Sequence, residues 1–363
     1  MLKFHSLRVV ETVPDAEDAV AIALEVPAAL RGEYCGSAGQ HVVVRAYFDG
    51  EETRRTYSLV NAPGEWPLRI VARVHAHGRM SRYLAEQLRA GALLDVLPPN
   101  GSFTPRAALP GVATYVAFAA GCGITPVLSV ARALLAQDAA RLIVFYGNSS
   151  SARTMCLEEL LALKDHHIGR LSLHFVMSRE PQEVQLYNGR IDAARVKGFA
   201  GVLFDPPAAR EYFVCGPGDM IEQVSAALRE LGVDLNRVHA EHFTLATTAE
   251  APATAAAAGP APQTPAPASG VCEVSVLMDG RRRSFSMGID EATVLDAAAR
   301  AGIELPFSCR AGVCSTCRTK VIRGEVVMAQ NYALEDWELE QGYVLACQSR
   351  AKSSTLELDY DEK

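Results

Sequence analysis

Between Leu7 and about Leu97, apolar and polar residues alternate in short runs. The period of two predicts strands at Ala19–Leu24, His41–Arg45 and Leu68–Val74. Short strands separated by turn residues predict a small antiparallel barrel. One helical stretch interrupts it, with Ser81 placed to cap a helix through Tyr83, Leu84, Leu88 and Leu93. Beyond Pro105 the pattern changes. Apolar strand runs at Thr114–Ala120, Leu142–Tyr146, Leu171–Met177 and Tyr212–Cys215 alternate with helical stretches at Val127–Ala136, at Cys156–Lys164 and from near Asp219. That alternation predicts an α/β domain on a parallel sheet. From about Ala246 to Gly270 the chain is Ala, Pro and Thr with almost no charge, which builds no core and whose prolines block a long helix. It reads as a linker with an r.m.s. span of roughly 25–30 Å. Period-two alternation then returns at Glu273–Met278 and Arg282–Met287, flanking Asp279-Gly280, a two-residue hairpin signal. A helix is predicted at Thr293–Ala301.

The patterns therefore divide the 363 residues into a barrel over 1–106, an α/β domain over 107–245, a linker over 246–270 and a compact module over 271–363. Composition adds exclusions. The net charge is −7, and the densest basic run, Arg281-Arg282-Arg283, reads as a solvated hairpin edge, so nucleic acid and anionic membrane surfaces are not expected partners. The start of the chain lacks a signal peptide's apolar core, and no apolar run reaches the roughly 18 residues of a membrane span. A soluble, cytoplasmic chain is expected. In that reducing compartment, most of Cys35, Cys122, Cys156, Cys215 and Cys272 are expected to be small buried residues.

The other four cysteines stand apart. Cys309, Cys314 and Cys317 read C-x4-C-x2-C, with Cys347 downstream, a spacing suited to a [2Fe–2S] cluster closed by a distant thiol. The small residues Ala311, Gly312, Ser315 and Thr316 let backbone N–H groups approach sulfur. Zinc usually shows paired C-x2-C knuckles, and disulfides suit short secreted chains. Upstream, Arg55, Tyr57 and Ser58 offer a cation, an aromatic face and a hydroxyl on one strand, a set that suits a flavin's diphosphate and ring. Gly78-Arg79-Met80-Ser81 precedes the barrel helix, where free N–H groups make an anion site. Gly121-Cys122-Gly123-Ile124-Thr125-Pro126 joins a strand to a helix as a pyrophosphate cradle would. Cys215-Gly216-Pro217 ends another strand. Arg179 in Ser178-Arg179-Glu180 presents a fork matched to phosphate.

The stretch from Ser308 to Cys317 resembles plant-type ferredoxins, and hairpin, helix and cysteine loop follow their β-grasp order. Gly39-Gln40, Arg55-Thr56-Tyr57-Ser58, Gly78–Ser81 and Gly101-Ser102-Phe103 occur in the order found in the ferredoxin–NADP reductase superfamily. As a whole, the chain resembles oxygenase reductases in which an FAD barrel, an NADP domain and a ferredoxin follow one another. The resemblance implies FAD, NADPH and a [2Fe–2S] cluster held by Cys309, Cys314, Cys317 and Cys347. It implies that Arg55, Tyr57, Ser58 and Gly78 to Ser81 hold the flavin. Gly121, Gly123, Thr125 and Pro126 would contact the nicotinamide nucleotide, together with Ser178 and Arg179 at the extra phosphate of NADP and with Cys215, Gly216 and Pro217 near the nicotinamide. Glu241 and Phe243 would reach the flavin ring, so that Tyr57, Ser58, Cys215, Glu241 and Phe243 surround hydride transfer. One departure bears on the nucleotide: Tyr146-Gly147-Asn148 is followed by Ser149 to Ala152, where the family frequently has Arg, and only then by Arg153. More narrowly, Phe4–Leu7, Arg54–Ser58, Tyr146–Asn148, Gly189–Asp192, Asn331–Leu334 and Gly342–Gln348 resemble the reductase subunits of ring-1,2-phenylacetyl-CoA epoxidases. That implies di-iron oxygenase subunits as electron acceptor, with Glu335, Asp336, Glu338 and Glu340 either steering the docking or forming a solvated helix face. The competing expectations are a reductase for a Rieske hydroxylase or a fatty-acid desaturase, and a redox-sensing iron–sulfur protein.

Overall fold

The computed structural model describes residues 3–106, 111–243 and 270–362, so the linker expected over 246–270 lies outside the described residues except for Gly270. Contacts divide the chain after Phe243 into two compact units.

In the first unit, six antiparallel strands form one sheet: β1 His5–Pro14, β2 Ala19–Glu25, β3 His41–Phe48, β4 Glu51–Ser58, β5 Leu68–Arg73 and β6 Leu93–Val96, in the order β4-β3-β6-β1-β2-β5. A short helix, α1 Arg31–Tyr34, places the Tyr34 hydroxyl to donate to the Val96 carbonyl at 2.8 Å. The alternation of β2 divides its side chains between two cores. Val20, Ile22 and Leu24 fill the barrel, whereas Ala19 and Ala21 pack with Ala117, Ile124, Val127 and Tyr146 of the following domain. Burial on both faces is why β2 carries hardly any polar residue.

The barrel helix departs from the expected pattern. It starts at Gly78 as N-cap, runs as α2 Arg79–Arg82 and widens into a π turn over Tyr83–Gln87. Ser81 is inside it, with its hydroxyl receiving the His75 N–H at 3.1 Å and donating to the Gly78 carbonyl at 3.2 Å. A serine hydroxyl that bonds back to nearby backbone serves a loop as readily as a cap. Leu93 lies beyond the helix, exposed at the start of β6.

The second sheet is parallel throughout, in the order β11-β10-β7-β8-β9, from β7 Ala113–Ala120, β8 Ala140–Asn148, β9 Leu171–Met177, β10 Glu211–Gly216 and β11 Val238–His242. Helices α3 Ile124–Leu135, α4 Leu157–His166, α5 Ala193–Phe199 and α6 Gly218–Glu230 cover it. α3 begins ahead of the expected Val127 because Pro126 sits in its first turn, where a missing N–H removes no helical bond.

The second unit is a mixed sheet, β13-β12-β18-β14-β16, with β12 Val271–Met278, β13 Arg281–Gly288, β14 Arg318–Arg323, β16 Tyr343–Leu345 and β18 Thr355–Asp359. Asp279 and Gly280 both take positive φ, +56° and +66°, as a type I′ hairpin requires. Helix α7 Val294–Arg300, capped by the Thr293 hydroxyl accepting the Asp296 N–H at 3.2 Å, packs Val294, Leu295 and Ala298 into the sheet's core. A ribbon of β15 Val326–Met328 and β17 Ser349–Ala351, and helix α8 Asp336–Glu340, complete the β-grasp layout. Of the four acidic residues expected on an acidic docking face, Glu338 on α8 is not part of it. Its carboxylate is buried, pairs with Arg318 at 2.7 Å and closes a capping box with Glu335. Of the five remaining cysteines, Cys156, Cys215 and Cys272 are buried and Cys122 is half-buried, but Cys35 is exposed.

Candidate active site

The cysteine loop winds through the left-handed region at Arg310, Gly312 and Ser315 (φ +54°, +76° and +49°). A Cβ at Gly312 would stand 3.0 Å from the Gln330 carbonyl oxygen, so only glycine fits without a shift. This winding turns N–H groups onto sulfur: Ala311 donates to Cys309 Sγ at 3.3 Å and Cys309 to Cys314 Sγ at 3.5 Å. The four thiols fall into two pairs. A hydrogen bond from the Cys314 thiol, aided by backbone N–H groups, pulls Cys309 down to about 5, while the same bond and burial push Cys314 up. Cys347 is likewise lowered by the Cys317 thiol, and Cys317 is raised. Among the described residues no three metal-binding side chains share a single-ion site. Four thiols in two hydrogen-bonded pairs fit the all-cysteine ligand set of a [2Fe–2S] cluster. Gln348 reinforces the loop, donating to the Arg310 carbonyl at 2.9 Å and to Cys347 Sγ at 3.6 Å. Its position directly after the fourth cysteine was the available sequence signal.

In the barrel, β3 and β4 pair so that His41 stands opposite Ser58 and Val42 opposite Tyr57. Directly opposed residues share a face, so the two pairs point to opposite sides of the sheet. Tyr57 packs against the barrel core, and burial pushes its hydroxyl above the usual tyrosine range. Arg55, two residues back, is exposed and donates to the Arg54 carbonyl at 2.8 Å. On the other face, His41 Nδ1 bonds Glu241 Oε1 of β11 at 3.3 Å. Ser58 is therefore brought into the neighbourhood of Glu241 through a residue that sequence reading passed over. His41 opens an apolar run, and a lone histidine there reads as core.

Three buried polar atoms at this seam, Ser58 Oγ, His41 Nε2 and Glu241 Oε2, have no hydrogen-bond partner among the described residues. Each such atom costs about 1–3 kcal/mol if nothing pairs it. Their convergence fits the polar rim of a flavin ring, which carries donors and acceptors along its edge. Phe243, half-buried, packs against the core shared by barrel and sheet. Of the expected phosphate ligands, Met80 is buried in the barrel and the Ser81 hydroxyl is held by the loop. What the turn offers an anion is its first-turn N–H groups and the exposed Arg79, which pairs with Asp49 and Glu51 at 3.1 and 3.0 Å.

The nucleotide motifs gather at the carboxyl ends of the parallel strands, where ligands of such sheets bind. The Gly121–Gly123 turn follows β7, with Gly121 at φ +55° and its carbonyl accepting from the Tyr146 hydroxyl at 2.9 Å. Gly123 lies against the end of β10, which brings the two glycine-containing motifs together. The Thr125 hydroxyl is turned inward, donating to the Cys122 carbonyl at 2.9 Å. Pro217 caps α6. Cys215 is fully buried opposite Glu241, and burial followed by Glu241 and Cys122 holds its thiol well above the ordinary value. Burial raises Cys122 too. After β9, the N–H groups of Ser178 and Arg179 donate to the Asn148 and Ser149 carbonyls at 2.9 Å, fixing the turn and leaving the Arg179 side chain exposed. Arg153 is tied instead to Asp18, which also binds Arg73.

The chain is similar to known proteins along its whole length. Residues 18–104 match an oxidoreductase FAD-binding domain, 118–226 an oxidoreductase NAD-binding domain and 276–352 a 2Fe-2S iron-sulfur cluster binding domain. The chain is 37% identical to a component of the 1,2-phenylacetyl-CoA epoxidase of Escherichia coli (strain K12), over 100% of this chain and 99% of that one. It is 30% identical to the ferredoxin reductase component of 3-ketosteroid-9-alpha-monooxygenase of Rhodococcus rhodochrous, covering 98% and 96%. Among solved structures, phthalate dioxygenase reductase shares the fold at a TM-score of 0.56 and 23% identity, covering 98% of each chain.

Proposed function

The chain belongs to the family of oxygenase reductases that join FAD-binding, nicotinamide-nucleotide-binding and [2Fe–2S] domains, and from that premise we propose that it supplies NADPH-derived electrons to the di-iron oxygenase of a phenylacetyl-CoA epoxidase. The observation that carries the reductase reading is the seam where Ser58, His41 and Glu241 leave three buried polar atoms unpaired beside Cys215. A flavin held there would convert the two electrons of a hydride into single electrons, which a one-electron cluster requires.

The chain's own residues orient the reactants and exclude water. Tyr57 and Arg55, on one face of β4, serve the flavin's ring and diphosphate, with the first-turn N–H groups of Gly78 to Ser81 adding to the diphosphate site. Ser58, Glu241 and Phe243 border the ring from the sheet side. Gly121, Gly123, Thr125 and Pro126 shape the nucleotide's cradle, Cys215, Gly216 and Pro217 bound its nicotinamide end, and Ser178 with Arg179 receives the extra phosphate of NADPH. Cys309, Cys314, Cys317 and Cys347 hold the cluster. In this reading residues 1–106 are the flavin domain, 107–245 the nucleotide domain, 246–270 a linker and 271–363 the ferredoxin, and the protein acts in the cytoplasm. Among the described residues no helix is long and apolar enough to cross a membrane.

The acceptor rests on full-length similarity to the Escherichia coli epoxidase component. The test is a dialysed extract of the source cells, immunodepleted of this protein and given NADPH and phenylacetyl-CoA with or without the purified chain. Chain-dependent loss of substrate with a product one oxygen heavier is expected. No loss, in an extract shown to retain the oxygenase subunits, moves the acceptor to another oxygenase.

A further inference from the structure

Resting on the reading that a flavin ring lies between Ser58 and Glu241, we propose that His41 is a positioning residue for hydride transfer, fixing the Glu241 carboxylate across the seam between barrel and parallel sheet. The two residues lie 200 positions apart and are 3% and 8% exposed, so their contact is closed to water. A carboxylate only accepts, so His41 Nδ1 carries the proton and Nε2 is left as the second ring nitrogen, buried and unpaired.

The strand end that carries the imidazole is fixed. The His41 backbone exchanges two 2.9 Å hydrogen bonds with Asn100, and Ser58 stands opposite it across β3 and β4. Gly101, at φ +120°, comes so close that a Cβ on it would lie 3.0 Å from Nδ1 and 3.1 Å from the neighbouring ring carbon. A side chain at position 101 would crowd the ring on its Nδ1 side, and glycine leaves the approach of Nδ1 to Glu241 open. A carboxylate held by one oxygen keeps the other, Oε2, in a set place within the cluster of unpaired atoms. A histidine that orients a functional carboxylate in this way tunes the site without touching the reacting atoms.

The test uses the purified full-length chain and the variants His41→Asn, His41→Gln and His41→Gln with Glu241→Gln. Asparagine places an amide N–H close to the position of Nδ1, whereas glutamine places it near Nε2. We expect H41Q to lower the limiting rate of flavin reduction by NADPH about tenfold or more, as misplaced reacting geometry does. Half-saturating NADPH should stay unchanged. The flavin midpoint potential should fall in H41Q, because a carboxylate that has lost its donor leaves more negative charge beside the ring. H41N should recover most of the rate and the potential. With Glu241→Gln present, H41Q should cost nothing further. Equal behaviour of H41N and H41Q, whether both match the wild type or both lose FAD, overturns the proposal, because the two amides differ by one methylene and a structural role would not separate them. A wild-type chain whose flavin NADPH does not bleach overturns the underlying flavin reading instead.

Discussion

Gly123 and Cys215 meet more closely than any side chain would allow: a Cβ at Gly123 would stand 2.1 Å from the Cys215 carbonyl oxygen. Gly123 has an ordinary helical φ of −60°, so the requirement for glycine here is the approach of two backbones and not the dihedral. Gly123→Ala should push the Gly121–Gly123 turn away from β10. We expect a loss of about 1–3 kcal/mol in stability and weaker nucleotide binding. Thermal melting and titration with NADP would read both. A variant that binds NADP as tightly as the wild type would separate the turn from the nucleotide.

Arg179 is exposed in the turn after β9, whereas Arg153 is tied to Asp18. On the proposed reading, in which Arg179 receives the extra phosphate, Arg179→Ala should remove a charged hydrogen bond worth about 1.5–3 kcal/mol. That is a rise of roughly tenfold or more in KM for NADPH with little change for NADH. Steady-state reduction of an artificial acceptor with each nucleotide would show it. Equal effects on both would move the phosphate site elsewhere.

Asp15 accepts the N–H of Cys156, which takes the left-handed conformation ahead of α4, at 2.9 Å. Burial raises the Asp15 pKa above its ordinary 3.8 more than that hydrogen bond lowers it. A carboxyl whose folded pKa is raised stabilises the fold fully below its unfolded value, and that contribution is lost as pH rises through the folded value. Asp15→Asn should therefore be the more stable form at pH 7 and lose its advantage on acidification toward pH ~4. Paired denaturation curves across that interval would test the sign.

The buried Glu338 pairs with the partly exposed Arg318, whose guanidinium also lies 3.6 Å from the centre of the Tyr343 ring. Glu338→Ala leaves that cation without its counter-charge and should cost about 1–3 kcal/mol. The measurement is the temperature at which the cluster bleaches. Glu340, exposed at the end of α8, should leave that temperature unchanged when replaced by Gln.

Much of the molecule was readable along the chain, for identifiable reasons. The cysteine loop was legible because ligand spacing is covalent: C-x4-C-x2-C constrains where sulfurs can go before any tertiary contact forms. The parallel strands were legible because burial on both faces leaves continuous apolar runs such as Thr114–Ala120. Ser81 misled because capping and back-bonding use the same hydroxyl, and only the position of His75 decides between them. Glu338 misled because its partner is twenty residues upstream, across a strand. His41 was passed over for a similar reason, since its partner is on the last strand of another sheet and a histidine beginning an apolar run carries no mark of that.

The alternation within β2 bears on how such chains can be recombined. Because Ala19 and Ala21 lie in the same core as Ile124, Val127 and Tyr146, the barrel and the parallel sheet have complementary surfaces made by both. Replacing one with a homologue's would set foreign side chains against those alanines. A graft cut near residue 106 should therefore yield an insoluble or flavin-poor chimera, whereas a cut after Phe243, where the contacts themselves divide, should exchange the terminal electron carrier intact. A reductase for a new oxygenase would then be obtained by replacing the residues beyond Phe243 and leaving the first unit untouched.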